Sequence, residues 1–168
     1  MTTEKPISKL EAFVSKLSLI EDETKTKLKK AMDQSEKDVE ISDDLDVESM
    51  KTGKILAKYL RLYTNESLVL KDLFTLKEKT KLERWKFYSG KQTEKYMIEN
   101  GILHEKILKM DIDKYLASDE KMIAVNHIIN IQKALVDYYE KITKELSSSR
   151  NFQIKAAIEW RKFVSGVV

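Results

Sequence analysis

The chain has no cysteine, one proline, four glycines and two histidines in 168 residues. The missing cysteine excludes disulfides, thiolate metal sites and thiol redox chemistry, and suits a reducing cytoplasm. So little glycine and proline argues against a turn-rich sheet protein. No apolar run approaches the roughly 18 residues that a membrane span needs. The opening MTTEKPISKL lacks the basic-then-apolar order of a secretory signal. The expectation is a soluble, cytoplasmic protein with no membrane partner.

Catalytic signatures are equally scarce. His104 and His127 have no Glu-x-x-His or His-x-x-x-His partner, so no metal site is expected, and His127 reads as structural. Neither Gly-x-x-x-x-Gly-Lys nor Gly-x-Gly-x-x-Gly occurs, so any ATPase in the process would belong to another protein. Ser118-Asp119-Glu120-Lys121 matches Ser-x-x-Lys, and Lys51-Thr52-Gly53 matches Lys-Thr-Gly. Their order is reversed and the triplet falls in a helical stretch, so both are coincidences, and Ser118 reads, with Asp119, as the cap of the helix that follows. No catalytic residue, no cofactor and no enzymatic activity are expected.

What the chain does have is charge, 35% of its residues, a proportion that suits long solvated helices. The net charge of +3 hides an asymmetry: residues 1–48 carry 8 Lys/Arg against 13 Asp/Glu, leaving 23 against 15 for the rest. An acidic arm on a basic body fits a polyanion partner, although a lysine-rich soluble surface gives the same tally.

Apolar spacing predicts an all-α fold. Ile7, Leu10, Phe13, Val14, Leu17 and Ile20 form one helix face, with two further turns possible through Leu28 and Met32. Residues 35–49, SEKDVEISDDLDVES, read as an acidic linker into a capped helix start. A long helix runs from about Val47 to Tyr88, with one possible break at Thr64-Asn65, and Ser89-Gly90 closes it. Residues 91–118 read as a connection with short helical pieces. Val125, Ile128, Gln132, Leu135, Tyr139, Ile142 and Leu146 then step as a heptad seam with one polar member, which requires another helix. SSSRN, residues 147–151, reads as a turn that makes a C-terminal helical hairpin with the last helix. Trp160, Phe163, Val167 and Val168 exceed what a thin helical body buries. They close an intramolecular bundle or form a subunit interface, and the interface is the preferred reading.

The stretch ERWKFYSGK, residues 83–91, sets Arg84, Lys86 and Lys91 among Trp85, Phe87 and Tyr88. At 100° per residue, Lys77, Lys81, Arg84 and Tyr88 share a stripe about 60° wide that Leu70 and Phe74 begin. Cations one turn apart could neutralise successive phosphates of a single strand while Trp85 or Tyr88 stacks on a base. The alternative is a solvated lysine-rich face with Trp85 and Phe87 buried, and the residue pattern alone favours it, since basic helices are common.

Three passages resemble one family: KDVEI before the long helix, RWKFYSG at its end, and SSSRNFQIKAAIEWRKFVSG at the C-terminus. From about Lys37 to Gly166, 130 residues, the chain resembles the UvsY recombination mediator proteins of T-even-like phages. The resemblance implies a helical, phage-encoded protein of the host cytoplasm that forms a ring-like hexamer or heptamer. It also implies single-stranded DNA binding, help in displacing the phage single-strand-binding protein, and loading of a RecA-like recombinase of the UvsX type.

It places a DNA-binding basic cluster before Tyr-Ser-Gly, with Arg84 at a basic position, and together with the stripe the expected DNA contacts are Lys77, Lys81, Arg84, Trp85, Lys86, Tyr88 and Lys91. At position 82, where relatives carry a second cation, stands Leu82, with Lys81 or Lys86 as its replacement. Oligomerisation falls to Leu135, Tyr139, Ile142, Phe152, Ile154, Ile158, Trp160 and Phe163. Residues 1–36 become an acidic, partly helical extension that could imitate DNA and restrain the basic face, and residues 37–168 the binding and assembly domain. The rival reading is a non-catalytic coiled-coil scaffold.

Overall fold

The computed structural model describes residues 9–100 and 107–166, and every regular element among them is helical. His104, Ile7, Gly101, Val167 and Val168 lie outside the described residues. The α-helices are α1 (Lys9–Val39), α2 (Leu45–Tyr88), α3 (Glu94–Asn100), α4 (Ile112–Ser118), α5 (Glu120–Glu145) and α6 (Asn151–Ser165). Among the described residues no helix is long and apolar enough to cross a membrane.

The ends of α2 follow from local chemistry. Asp44 caps its start, with Oδ1 accepting the Val47 N–H at 3.2 Å and its carbonyl accepting the Glu48 N–H at 3.0 Å. Gly90, at φ 68°, closes the other end. Its N–H donates to the Phe87 carbonyl at 3.1 Å, and the Lys91 N–H donates to the Lys86 carbonyl at 2.8 Å, the paired bonds of a Schellman motif. The possible break at Thr64-Asn65 does not occur. Thr64 and Ser67 turn their hydroxyls back onto the Leu60 and Tyr63 carbonyls at 2.9 and 2.7 Å, so neither caps a new helix.

The first helix is longer than its spacing suggests. It continues past Met32 to Val39, because Ser35 is buried with its hydroxyl donating to the Met32 carbonyl at 2.9 Å and bonded to the Tyr138 hydroxyl. The acidic linker shrinks to residues 40–44.

Two compact units draw on alternating parts of the chain. One comprises the described residues up to Thr24 together with Leu70–Ile131. Its core is Leu17, Leu73, Val125, Ile128 and Ile129, with Phe13, Ile20 and Leu76 packed around it. The other comprises Lys25–Val69 and the described residues from Gln132 onward. Its core is Ala31, Tyr59, Leu135, Tyr139 and Leu146. The α5 seam therefore finds apolar partners within the chain. Gln132, its polar member, is buried and donates to the Glu66 carbonyl at 3.0 Å and to Glu66 Oε2 at 2.9 Å, while Lys27 ion-pairs with Glu66 at 3.0 Å. A buried amide so partnered avoids the cost of an unmade hydrogen bond.

The expected C-terminal hairpin is corrected. Leu146–Arg150 is a π-helical turn, and Glu145, Arg150 and Asn151 all keep right-handed helical angles, so α5 continues into α6 without reversing. Serines that read as a turn instead satisfy carbonyls at the widened turn: Ser147 and Ser148 both donate to the Lys144 carbonyl, at 2.9 and 2.8 Å.

This turn sets Arg150, 2% exposed, inside the second unit. Its Nη1 donates to the Asp38, Val39 and Glu40 carbonyls, each at 2.9 Å, its Nε to Thr52 Oγ1 at 3.1 Å, and its Nη2 to the Glu48 carboxylate. The carbonyls left open at the end of α1 thus receive a cation.

Hydrogen bonds from Lys51 and Ser42 hold Glu48 below its ordinary 4.5. Burial would raise Asp38, but bonds from Lys58, Tyr59 and Gln34 keep it below 3.8. Depressed carboxyls contribute stability above their unfolded values and lose it as pH falls through the folded ones. The urea midpoint is expected to hold between about pH 7 and 5 and to fall below about pH 4. A midpoint that rises on acidification would contradict this assignment.

Candidate nucleic-acid interface

The end of α2 faces two ways. Leu73, Thr80 and Phe87 point into the first unit, while Lys81, Leu82 and Lys86 are exposed. Lys81 and Lys86 flank half-buried Trp85, about 40° and 100° to either side of it around the helix. Lys77 is partly covered, and exposed Lys91 lies 4.6 Å from the Trp85 ring centre. Lys77, Lys81, Lys86 and Lys91 make no ion pair among the described residues, which leaves four cations along the end of α2 and just past it, with Lys91 against the indole. Leu82 sits between them as an exposed apolar side chain.

Arg84 and Tyr88 turn inward from the same stripe. Arg84 is 8% exposed, and its Nε donates to Asp119 Oδ2 at 2.6 Å. The Tyr88 hydroxyl donates to that oxygen at 2.7 Å, and the guanidinium lies 4.3 Å from the Phe87 ring centre. Burial, and then the hydrogen bond to Asp119, raise the Tyr88 hydroxyl above its ordinary 10.0.

Beside this cluster, Glu83 accepts from the Tyr96 hydroxyl and from Lys121 Nζ at 3.0 Å. Burial acts to raise Glu83, but these two partners bring it below 4.5. Burial and Glu83 in turn push Tyr96 up to about 12. The basic stretch is thus fixed to α5 through two acid–base clusters.

Of the expected cap pair Ser118-Asp119, the aspartate does the capping, and its tie to Arg84 is what sequence reasoning missed. Its Oδ1 accepts the Met122 N–H at 3.2 Å, so it, and not Ser118, caps α5. Ser118 ends α4, donating to the Lys114 and Tyr115 carbonyls, each at 3.2 Å. An aspartate just before a periodic segment signalled the cap, but nothing in local order signals the pairing with Arg84. His127 lies with Nε2 3.1 Å from Glu21 Oε1, and no group of three or more potential metal ligands occurs among the described residues.

The residues expected at an oligomer interface divide into two sets. Leu135, Tyr139 and Ile154 are buried within the second unit, and Ile142 and Ile158 are half-buried there. Phe152, Trp160 and Phe163 are 72%, 66% and 76% exposed on α6, and the Trp160 and Phe163 rings stack with centres 5.8 Å apart.

No curated protein matches the chain. Among solved structures, the "Crystal Structure of the Bacteriophage T4 recombination mediator protein UvsY, Lattice Type II" is similar, with a TM-score of 0.71 and 19% identity over 82% of this chain and 96% of that one. At that identity the likeness speaks to the all-α fold. A family model described as "Recombination, repair and ssDNA binding protein UvsY" matches residues 34–167. The chain therefore belongs to the UvsY family of recombination mediators.

Proposed function

We propose that this chain binds single-stranded DNA as a ring-like homo-oligomer of six or seven copies. It passes the strand to a RecA-like phage recombinase of the UvsX type while helping to displace the phage single-strand-binding protein, in the host cytoplasm. Family membership supports the strand-binding role. The observation that carries the choice of site is the run of cations without an ion pair among the described residues, Lys77, Lys81, Lys86 and Lys91, along the end of α2 that bears Trp85. Cations of this kind can neutralise phosphates, and the indole offers a stacking surface worth about 1–3 kcal/mol per base. Arg84 and Tyr88, both spent on Asp119, act in this reading as the fixed base of the platform. The exposed aromatics of α6 supply the self-association surface.

Binding of a fluorescent single strand and of the matched duplex across a salt series tests this reading. The intact chain is expected to prefer the single strand with a steep salt slope. Lys81→Ala/Lys86→Ala should make the log–log slope shallower by about 1.4, since each lost phosphate contact on a single strand removes about 0.7. Equal, feeble binding by both proteins would instead favour an oligomeric scaffold.

A further inference from the structure

Two exposed apolar surfaces stand out among the described residues. The first is the α6 face bearing Phe152, Trp160 and Phe163, with Lys155 and Lys162 along one border and exposed Glu159 between them, a border of net positive charge. Neither lysine is ion-paired among the described residues. The second is a groove of about 430 Å³ between α1 and α5 in the first unit. Partly exposed Val14 and Ile123 line it, and Glu21, Glu120 and His127 edge it. Its α1 wall lies outside the family match, which begins at residue 34, so the groove is a feature of this chain's added helix.

We infer that α6 of a second copy of this chain occupies the α1/α5 groove, with Trp160 and Phe163 against Val14 and Ile123 and the α6 lysines toward Glu21 and Glu120. This rests on the reading of α6 as the self-association surface and names the surface that receives it. Charge decides between the two occupants the chain itself offers. Pairing α6 antiparallel with α6 would set this net positive border against its own copy, a like-charge arrangement that costs energy. The groove meets that border with carboxylates. Geometry gives the same answer: a pairing of α6 with itself is isologous and stops at two copies. A contact between two different patches is heterologous and continues from copy to copy, as a cyclic ring of six or seven copies requires.

The absence of cysteine makes this directly testable. Ile123→Cys and Phe163→Cys are prepared as separate full-length proteins, mixed, and oxidised. Expected is a disulfide-linked heterodimer in the mixture, little product from either protein alone, and loss of the assembled species by light scattering for both Ile123→Glu and Trp160→Ala/Phe163→Ala, each with helical circular dichroism retained.

Two results would overturn the groove while leaving α6 assembly standing. One is efficient self-crosslinking of Phe163→Cys without mixed product. The other is wild-type assembly of Ile123→Glu when Trp160→Ala/Phe163→Ala dissociates. Wild-type assembly of both variants, or a monomeric intact chain, would overturn the α6 reading as well.

Discussion

Arg150→Ala is expected to destabilise the protein by about 3–5 kcal/mol, the range for removing one partner of a buried ion pair. The guanidinium joins the carbonyls at the end of α1 to Thr52 and Glu48 on α2. Removing it leaves the Glu48 carboxylate, 4% exposed, with Lys51 and Ser42 as partners but without its buried counter-charge. It also strands three carbonyls at a helix end.

Arg150→Lys should recover only a small part of the loss. An ammonium has three donors on a point charge and cannot reproduce the planar fork that reaches three carbonyls, a hydroxyl and a carboxylate together. Urea unfolding followed by circular dichroism measures both variants. A loss below about 1 kcal/mol for Arg150→Ala, the scale of an exposed pair, would show that the buried pair is not what holds this end of α1.

Asp119→Ala should also cost about 3–5 kcal/mol, because one carboxylate serves both as the counter-charge of buried Arg84 and as the cap of α5. Asp119→Asn separates the two roles. Asparagine caps as well as aspartate, so this variant keeps roughly the 1 kcal/mol that a cap is worth while losing the charge. Arg84→Ala combined with Asp119→Ala should cost clearly less than the sum of the single changes, since each single change leaves a buried charge unpaired. Additive losses would mean that the two side chains act independently. Single-strand affinity should fall in the single variants, because Trp85 and its lysines lose the tie that fixes the end of α2 to α5.

Much of the helical framework was legible from residue order. Asp44 and Gly90 announced the ends of α2 through chemistry confined to one or two turns, and the α5 seam announced a buried face. The misreadings share one physical cause: the fate of a polar side chain depends on partners far away in sequence. Arg84 and Arg150 look like surface cations until Asp119 and Glu48 are brought to them. Ser35 looks like a linker residue until Tyr138 meets it.

The same cause divides the expected interface. Leu135 and Phe152 are equally apolar letters, yet Leu135 is 0% exposed and Phe152 faces out. Truncating Leu135 would cost roughly 2–5 kcal/mol of folding stability, so it is a poor probe of assembly, whereas the α6 aromatics are good ones.

The π-helical turn at Leu146–Arg150 decides which letters those are. Had the α5 rhythm of threes and fours continued past Leu146 without interruption, the seam would have passed through Ser149, Gln153, Ala156, Trp160 and Phe163. One additional residue in the turn advances the phase by about 100°. The buried line then runs Leu146, Arg150, Ile154, and the indole is carried outward. A single inserted position, occupied by nothing more distinctive than serine, therefore acts as a reading-frame shift in three dimensions: it converts what would have been one more core residue into an outward-facing surface.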